Sequence, residues 1–120
     1  MSWETLLKMR KKANFAAYKQ AVKEVADTYE VGTVINFTNK GYDVEEFLNN
    51  SMLIYAELTA EHVFYASTGK KVKRVAHQHA KKVFSMTALG GRQRMISSIL
   101  LNNGWERISP VSQQIFRKVE

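Results

Sequence analysis

The chain has 120 residues, one proline and no cysteine, with 45% hydrophobic and 24% charged residues. That balance fits one globular domain with its own core and excludes wholesale disorder, and the missing cysteines exclude disulfide scaffolds, thiolate zinc sites and cysteine nucleophiles. Lys and Arg number 18 against 11 Asp and Glu, a net charge of +7, which is the balance of a protein with a polyanionic partner.

The first 32 residues form an N-terminal helical segment. Phe15, Tyr18, Val22, Val25 and Tyr29 recur at steps of three and four, so a helix is predicted from about Trp3 to Tyr29. Ser2 is placed to cap its start and Gly32 to follow its end, while Asn14 is a point where it could divide. Up to residue 24 the segment carries Lys8, Arg10, Lys11, Lys12, Lys19 and Lys23 against Glu4 and Glu24, and Lys8, Arg10, Lys11 and Lys12 form a second basic stretch able to meet nucleic acid. These early charges stand where a secretory signal needs apolar residues. The longest apolar runs, Met52 to Ala56 and Ile99 to Leu101, are too short to span a bilayer. A cytoplasmic protein with no membrane contact is the expectation.

Residues 33–67 make an acidic middle. From residue 25 to 67 Lys40 stands alone against Asp27, Glu30, Asp43, Glu45, Glu46, Glu57 and Glu61. Val31, Thr33, Ile35 and Phe37 alternate at the strand period, and Asn39-Lys40-Gly41 reads as a turn. Asp43 followed by Glu46 has capping-box spacing and predicts a helix from Val44 to about Asn50. Met52 to Ser67 fits either a helix, with Leu53, Ala56, Ala60, Val63 and Phe64 on one side, or a hairpin around Thr59-Ala60-Glu61. Recurrent Ala and Glu, and no Gly or Asn at a turn, favour the helix.

Residues 68–120 are the basic part, with eleven bases against Glu106 and Glu120. A helix is predicted from Lys70 to Met86, its apolar side formed by Val72, Val75, Ala76, His79, Val83 and Phe84. Ala88-Leu89-Gly90-Gly91 interrupts it. A second helix follows from about Arg92 to Asn103, with Met95, Ile96, Ile99, Leu100 and Asn103 on one face and Gly104 in the left-handed position that ends helices. Trp105–Ile108 and Gln114–Val119 read as two short strands joined by Ser109 to Gln113. The whole is expected to be α+β and mostly helical.

Helix, glycine-bearing connection, helix and hairpin together resemble the C-terminal part of winged helix-turn-helix DNA-binding domains, over about residues 70–120. The resemblance implies a recognition helix at 92–103, ended at a Gly-aromatic step and followed by a wing. It would set Arg92, Gln93, Arg94, Ser97 and Ser98 against bases or phosphates, residue types suited to that use. Arg107, Arg117 and Lys118 would belong to the wing and touch the backbone. The wing tip, Ser-Pro-Val-Ser-Gln, departs from the pattern in having neither a base nor a glycine. Lys70, Lys71, Lys73 and Arg74, with Lys81 and Lys82, form the densest basic stretch and could line phosphates.

Other chemistry finds little support. His77 and His79 lie two apart, about 200° around a helix, and cannot share a metal; no metal or cofactor is expected. Asp43, Glu45 and Glu46 are explained as helix-start acids. Ser97-Ser98 lack the elbow of a hydrolase nucleophile, so no enzyme is expected. The partner is then duplex DNA, with RNA or a single strand as variants, and the role that of a small regulator or replication accessory factor. A homodimer through the N-terminal helix would let two half-sites be read. The rival is a small effector that binds another protein through acidic residues 43–61.

Overall fold

A computed structural model of the chain describes residues 3–62, 69–84 and 91–120, with side chains over 15–59, 76–84 and 93–120. The elements run α1 (Trp3–Asp27), β1 (Val34–Asn36), α2 (Tyr42–His62), α3 (Gly69–Val83), α4 (Gly91–Leu101), β2 (Trp105–Arg107) and β3 (Ile115–Lys118). The fold is α+β and mostly helical, with one small antiparallel sheet.

α1 is continuous through Asn14. Among its described side chains Ala17, Tyr18, Ala21, Val22, Val25 and Ala26 are buried, whereas Phe15, placed on the same stripe by spacing, is 55% exposed. Lys19 stands 4.9 Å above the Phe15 ring, covering it from one side. Ser2 lies outside the described residues. After α1 the chain turns at Gly32, whose φ of +95° is a region that favours glycine. The predicted alternation has the right parity, with Ile35 and Phe37 inside. Only three residues pair as strand, and Val31 stays exposed.

α2 is a single helix of 21 residues, so the helical reading of Met52 to Ser67 holds as far as His62; residues 63–68 lie outside the described residues. Two corrections apply. The helix begins at Tyr42, two residues before the Val44 start that an Asp43 cap implied, and the Glu45 N–H donates to Gly41 O, leaving Asp43 and Glu45 as first-turn acids. The buried row is also different: Phe47, Ser51, Tyr55 and Thr59 face inward at a spacing of four, and Leu53 is exposed. Two polar members disguised this row. Each hydroxyl donates one turn back, Ser51 to Phe47 O at 2.8 Å and Thr59 to Tyr55 O at 2.7 Å, so neither is buried unsatisfied.

α2 packs against both α1 and α3, and α1 also meets α4. Two aromatic groups fill the core. Among the helices, Tyr18 stacks on Phe84 at 5.0 Å and Tyr55 meets both edge-on, with the His79 ring 5.9 Å from Tyr55. Towards the sheet, Phe47 contacts Tyr29 and Phe37, Tyr29 meets Trp105, and Phe37 meets Phe116. Each such pair adds about 0.5–1.5 kcal/mol to the burial itself.

The sheet order is β1-β3-β2. β3 pairs Val34 with Arg117 on one side and Trp105 with Lys118 on the other. α4 ends at Leu101, two residues short of the expected Asn103; Gly104, with φ +82°, closes the turn that follows and leads into β2, and its carbonyl accepts from the Val119 and Glu120 N–H groups.

Candidate nucleic-acid interface

α4 is held by three apolar residues, Ile96, Ile99 and Leu100, which are all buried. Their spacing leaves a complementary row outside: Arg94, Ser98 and Asn102 recur every four residues and all are exposed, with Leu101 beside them at 44%. No acidic residue lies on this helix. Asn102 follows the last helical residue, and its N–H donates to Ser98 O, extending the row by one turn.

Two other polar residues of α4, Gln93 and Ser97, point inward. Gln93 Nε2 donates to Phe37 O at 3.2 Å and pins the first turn to the loop after β1. Ser97 is 6% exposed, and its hydroxyl lies 2.8 Å from Gln93 O and 2.9 Å from Gln114 Oε1. It has one proton to share between these two acceptors. The sequence expectation set Gln93 and Ser97 against nucleic acid beside Arg94 and Ser98; the structure puts them in the joint between α4 and the hairpin instead. The Arg92 side chain lies outside the described residues.

Gln114 is the centre of that joint, and nothing in the sequence marks it. Its Oε1 accepts from Ser97 and, at 3.3 Å, from Arg107 Nη2; its N–H donates to Thr38 Oγ1 at 2.8 Å; its C=O accepts from the Phe37 N–H at 2.7 Å. Its Nε2 donates to Val111 O. One residue thus ties the loop after β1, the middle of α4 and the β2–β3 hairpin together. Its partners Thr38 and Phe37 sit 76 or more positions away, beyond the reach of any local pattern.

The three wing bases expected at the phosphate backbone have other settings. Arg107 lies with its guanidinium carbon 5.3 Å from the Phe116 ring centroid, its Nε buried without a partner. Arg117 is exposed and paired with Glu106 across the outer face of the sheet. Lys118 is 7% exposed: its Nζ donates to Ala26 O at 3.2 Å, Asp27 O at 3.3 Å and Tyr29 O at 2.6 Å. An ammonium among the last carbonyls of a helix neutralises the negative end of its dipole. Lys118 is therefore the cap of α1. It sits on the inward side of β3 next but one to Phe116, and alternation along the strand carried the signal.

On α3, Lys81 and Lys82 are exposed in the last turn, where cations also suit the helix dipole. Lys70, Lys71, Lys73 and Arg74 belong to the first turns of α3, with side chains outside the described residues, as are those of Lys8, Arg10, Lys11 and Lys12 in α1. The acids lie elsewhere: Glu24, Asp27, Glu30, Asp43, Glu45, Glu46 and Glu57 are all exposed on α1, α2 and the loop after α1. Among the described residues no three His, Asp or Glu side chains gather as a metal site would require, and no helix is long and apolar enough to cross a membrane.

Comparison with protein-family models, with curated proteins and with solved structures found no match.

Proposed function

We propose that this chain is a small nucleic-acid-binding protein of the winged helix-turn-helix kind, which lays α4 on duplex DNA as a regulator or replication accessory factor. The observation that carries the reading is the solvent row of α4. Arg94, Ser98 and Asn102 stand on one side of a helix that bears no acid and runs directly into a hairpin anchored to β1. An Arg fork suits guanine O6 and N7 or a phosphate, an Asn amide suits adenine, and Ser accepts either role. Leu101 beside them offers an apolar surface to a thymine methyl. Lys81 and Lys82, with the rest of the basic stretch of α3, supply the sequence-independent attraction to phosphates. A second copy bound through α1 would let two half-sites be read.

The test is fluorescence anisotropy on a random duplex and on a single strand, at low and near-physiological salt. Wild type is compared with Arg94→Ala/Asn102→Ala. Duplex binding should weaken with salt by about 0.9 in the log–log slope for each phosphate neutralised. The double variant should lose about tenfold or more, since a good bidentate contact is worth ~1–3 kcal/mol. Absence of duplex binding at low salt, or binding that ignores the double variant, overturns the reading.

A further inference from the structure

α2 contains no Lys or Arg in its 21 residues, in a protein of net charge +7. Its exposed residues Glu46, Asn50, Leu53 and Glu57 fall at steps of four, three and four, so they form one ridge. Between this ridge and α1 lies an open cleft of about 370 Å³, lined by Val25, Thr28, Asn50, Leu53, Ile54 and Glu57. Its floor is apolar: Val25 is buried, Ile54 partly so, and Leu53 is left 54% exposed at the rim. Among the described residues neither Glu46 nor Glu57 is joined to a base in an ion pair. Such a surface repels phosphates and anionic lipids. It complements a partner that brings apolar side chains flanked by bases.

We propose that this cleft docks a cationic amphipathic helix from a partner protein. The occupant would set leucine-like side chains on Val25, Leu53 and Ile54, with Lys or Arg reaching Glu57 at one end and Glu46 at the other. Those two carboxylates lie eleven residues apart on α2, about 16 Å at the helical rise, so the partner's bases would be spaced by about three turns. The proposal uses a face other than the row on α4 and stands independently of the nucleic-acid reading.

The test is a titration of the isotope-labelled full chain with a synthetic Leu/Lys peptide of about five helical turns, leucines at helical spacing, followed by backbone amide shifts. A Leu/Glu peptide of the same pattern is the control. Shifts should centre on Val25, Thr28 and Asn50 to Glu57 for the Lys peptide alone. Leu53→Ser should weaken binding about tenfold or more, as loss of a central anchor does. Glu57→Lys should weaken it about threefold or more, and Glu30→Lys, outside the cleft, should stay within about twofold. All three positions are exposed, so the fold is not at stake. No binding, shifts centred elsewhere, or equal weakening by Glu30→Lys overturns the proposal. Concentration-dependent self-association abolished by Leu53→Ser also overturns it, in favour of a second copy as occupant.

Discussion

Replacing Lys118 by Met removes the ammonium and keeps the stem that packs beside Phe116. Three carbonyls lose their donor. Ala26 O still accepts from the Tyr29 N–H at 3.4 Å, but Asp27 O and Tyr29 O have no other donor among the described residues. A hydrogen bond to a charged group contributes about 1.5–3 kcal/mol net, and a cation at a helix C-terminus up to about 2 kcal/mol in a partly buried setting. The contributions overlap, since one ammonium makes them all, so a loss of about 3 kcal/mol is expected, or a Tm lower by about 10 °C for a chain of this size. Urea unfolding followed by far-ultraviolet circular dichroism measures it, with an unchanged slope showing that the same surface unfolds. Duplex affinity, measured where both proteins are folded, should not change. A loss below about 0.5 kcal/mol together with weakened DNA binding would refute the reasoning and return Lys118 to the phosphate backbone.

Gln114→Leu should destabilise by about 1–3 kcal/mol, because Ser97 and Arg107 lose a buried acceptor; hydrogen exchange should rise first in the hairpin and in the loop at Phe37 and Thr38. Gly104→Ala should cost about 1–2 kcal/mol for the left-handed backbone, and more for crowding, since a Cβ there would stand 3.0 Å from Glu120 Cβ; thermal unfolding checks this. Tyr29 has its phenol pKa raised, first by desolvation and then by the Glu46 and Asp43 carboxylates. Folding therefore favours the protonated phenol: its contribution is complete below the unfolded value near 10 and declines as pH rises toward the folded one. Urea midpoints taken through that alkaline range should fall for wild type and fall less for Tyr29→Phe.

Much of the fold is legible from local pattern. The stripe of α1, the start of α4, the glycine after it and the two hairpin strands follow from spacing and turn chemistry, which act over a few residues. The inward row of α2 is not legible, because Ser51 and Thr59 look like surface residues until their hydroxyls are seen to bond within the helix. At the site the exposed row of Arg94 and Ser98 is readable once Ile96, Ile99 and Leu100 fix the buried side. The inward settings of Gln93, Ser97 and Lys118 are not legible, for a common reason. Each is polar in a basic segment, and only partners far along the chain, Phe37, Gln114 and the end of α1, turn it inward.

The central position of β3 carries a consequence for how the molecule opens. β2 and β3 are joined by a short loop, whereas Val34 and Arg117 pair across 83 positions. Closing the longer span costs about 4 kcal/mol of chain entropy against about 2 for the hairpin. The hairpin can therefore form beside α4 before β1 arrives. When β1 pairs with β3, the Lys118 ammonium of β3 also reaches the end of α1 and caps it, and Gly32 N–H meets Lys118 O at 2.7 Å. The end of α1, the turn at Gly32 and β1 are thus one cooperative unit: a fluctuation that frees the edge strand also unwinds the last turn of the first helix, while α4 and its hairpin stay intact.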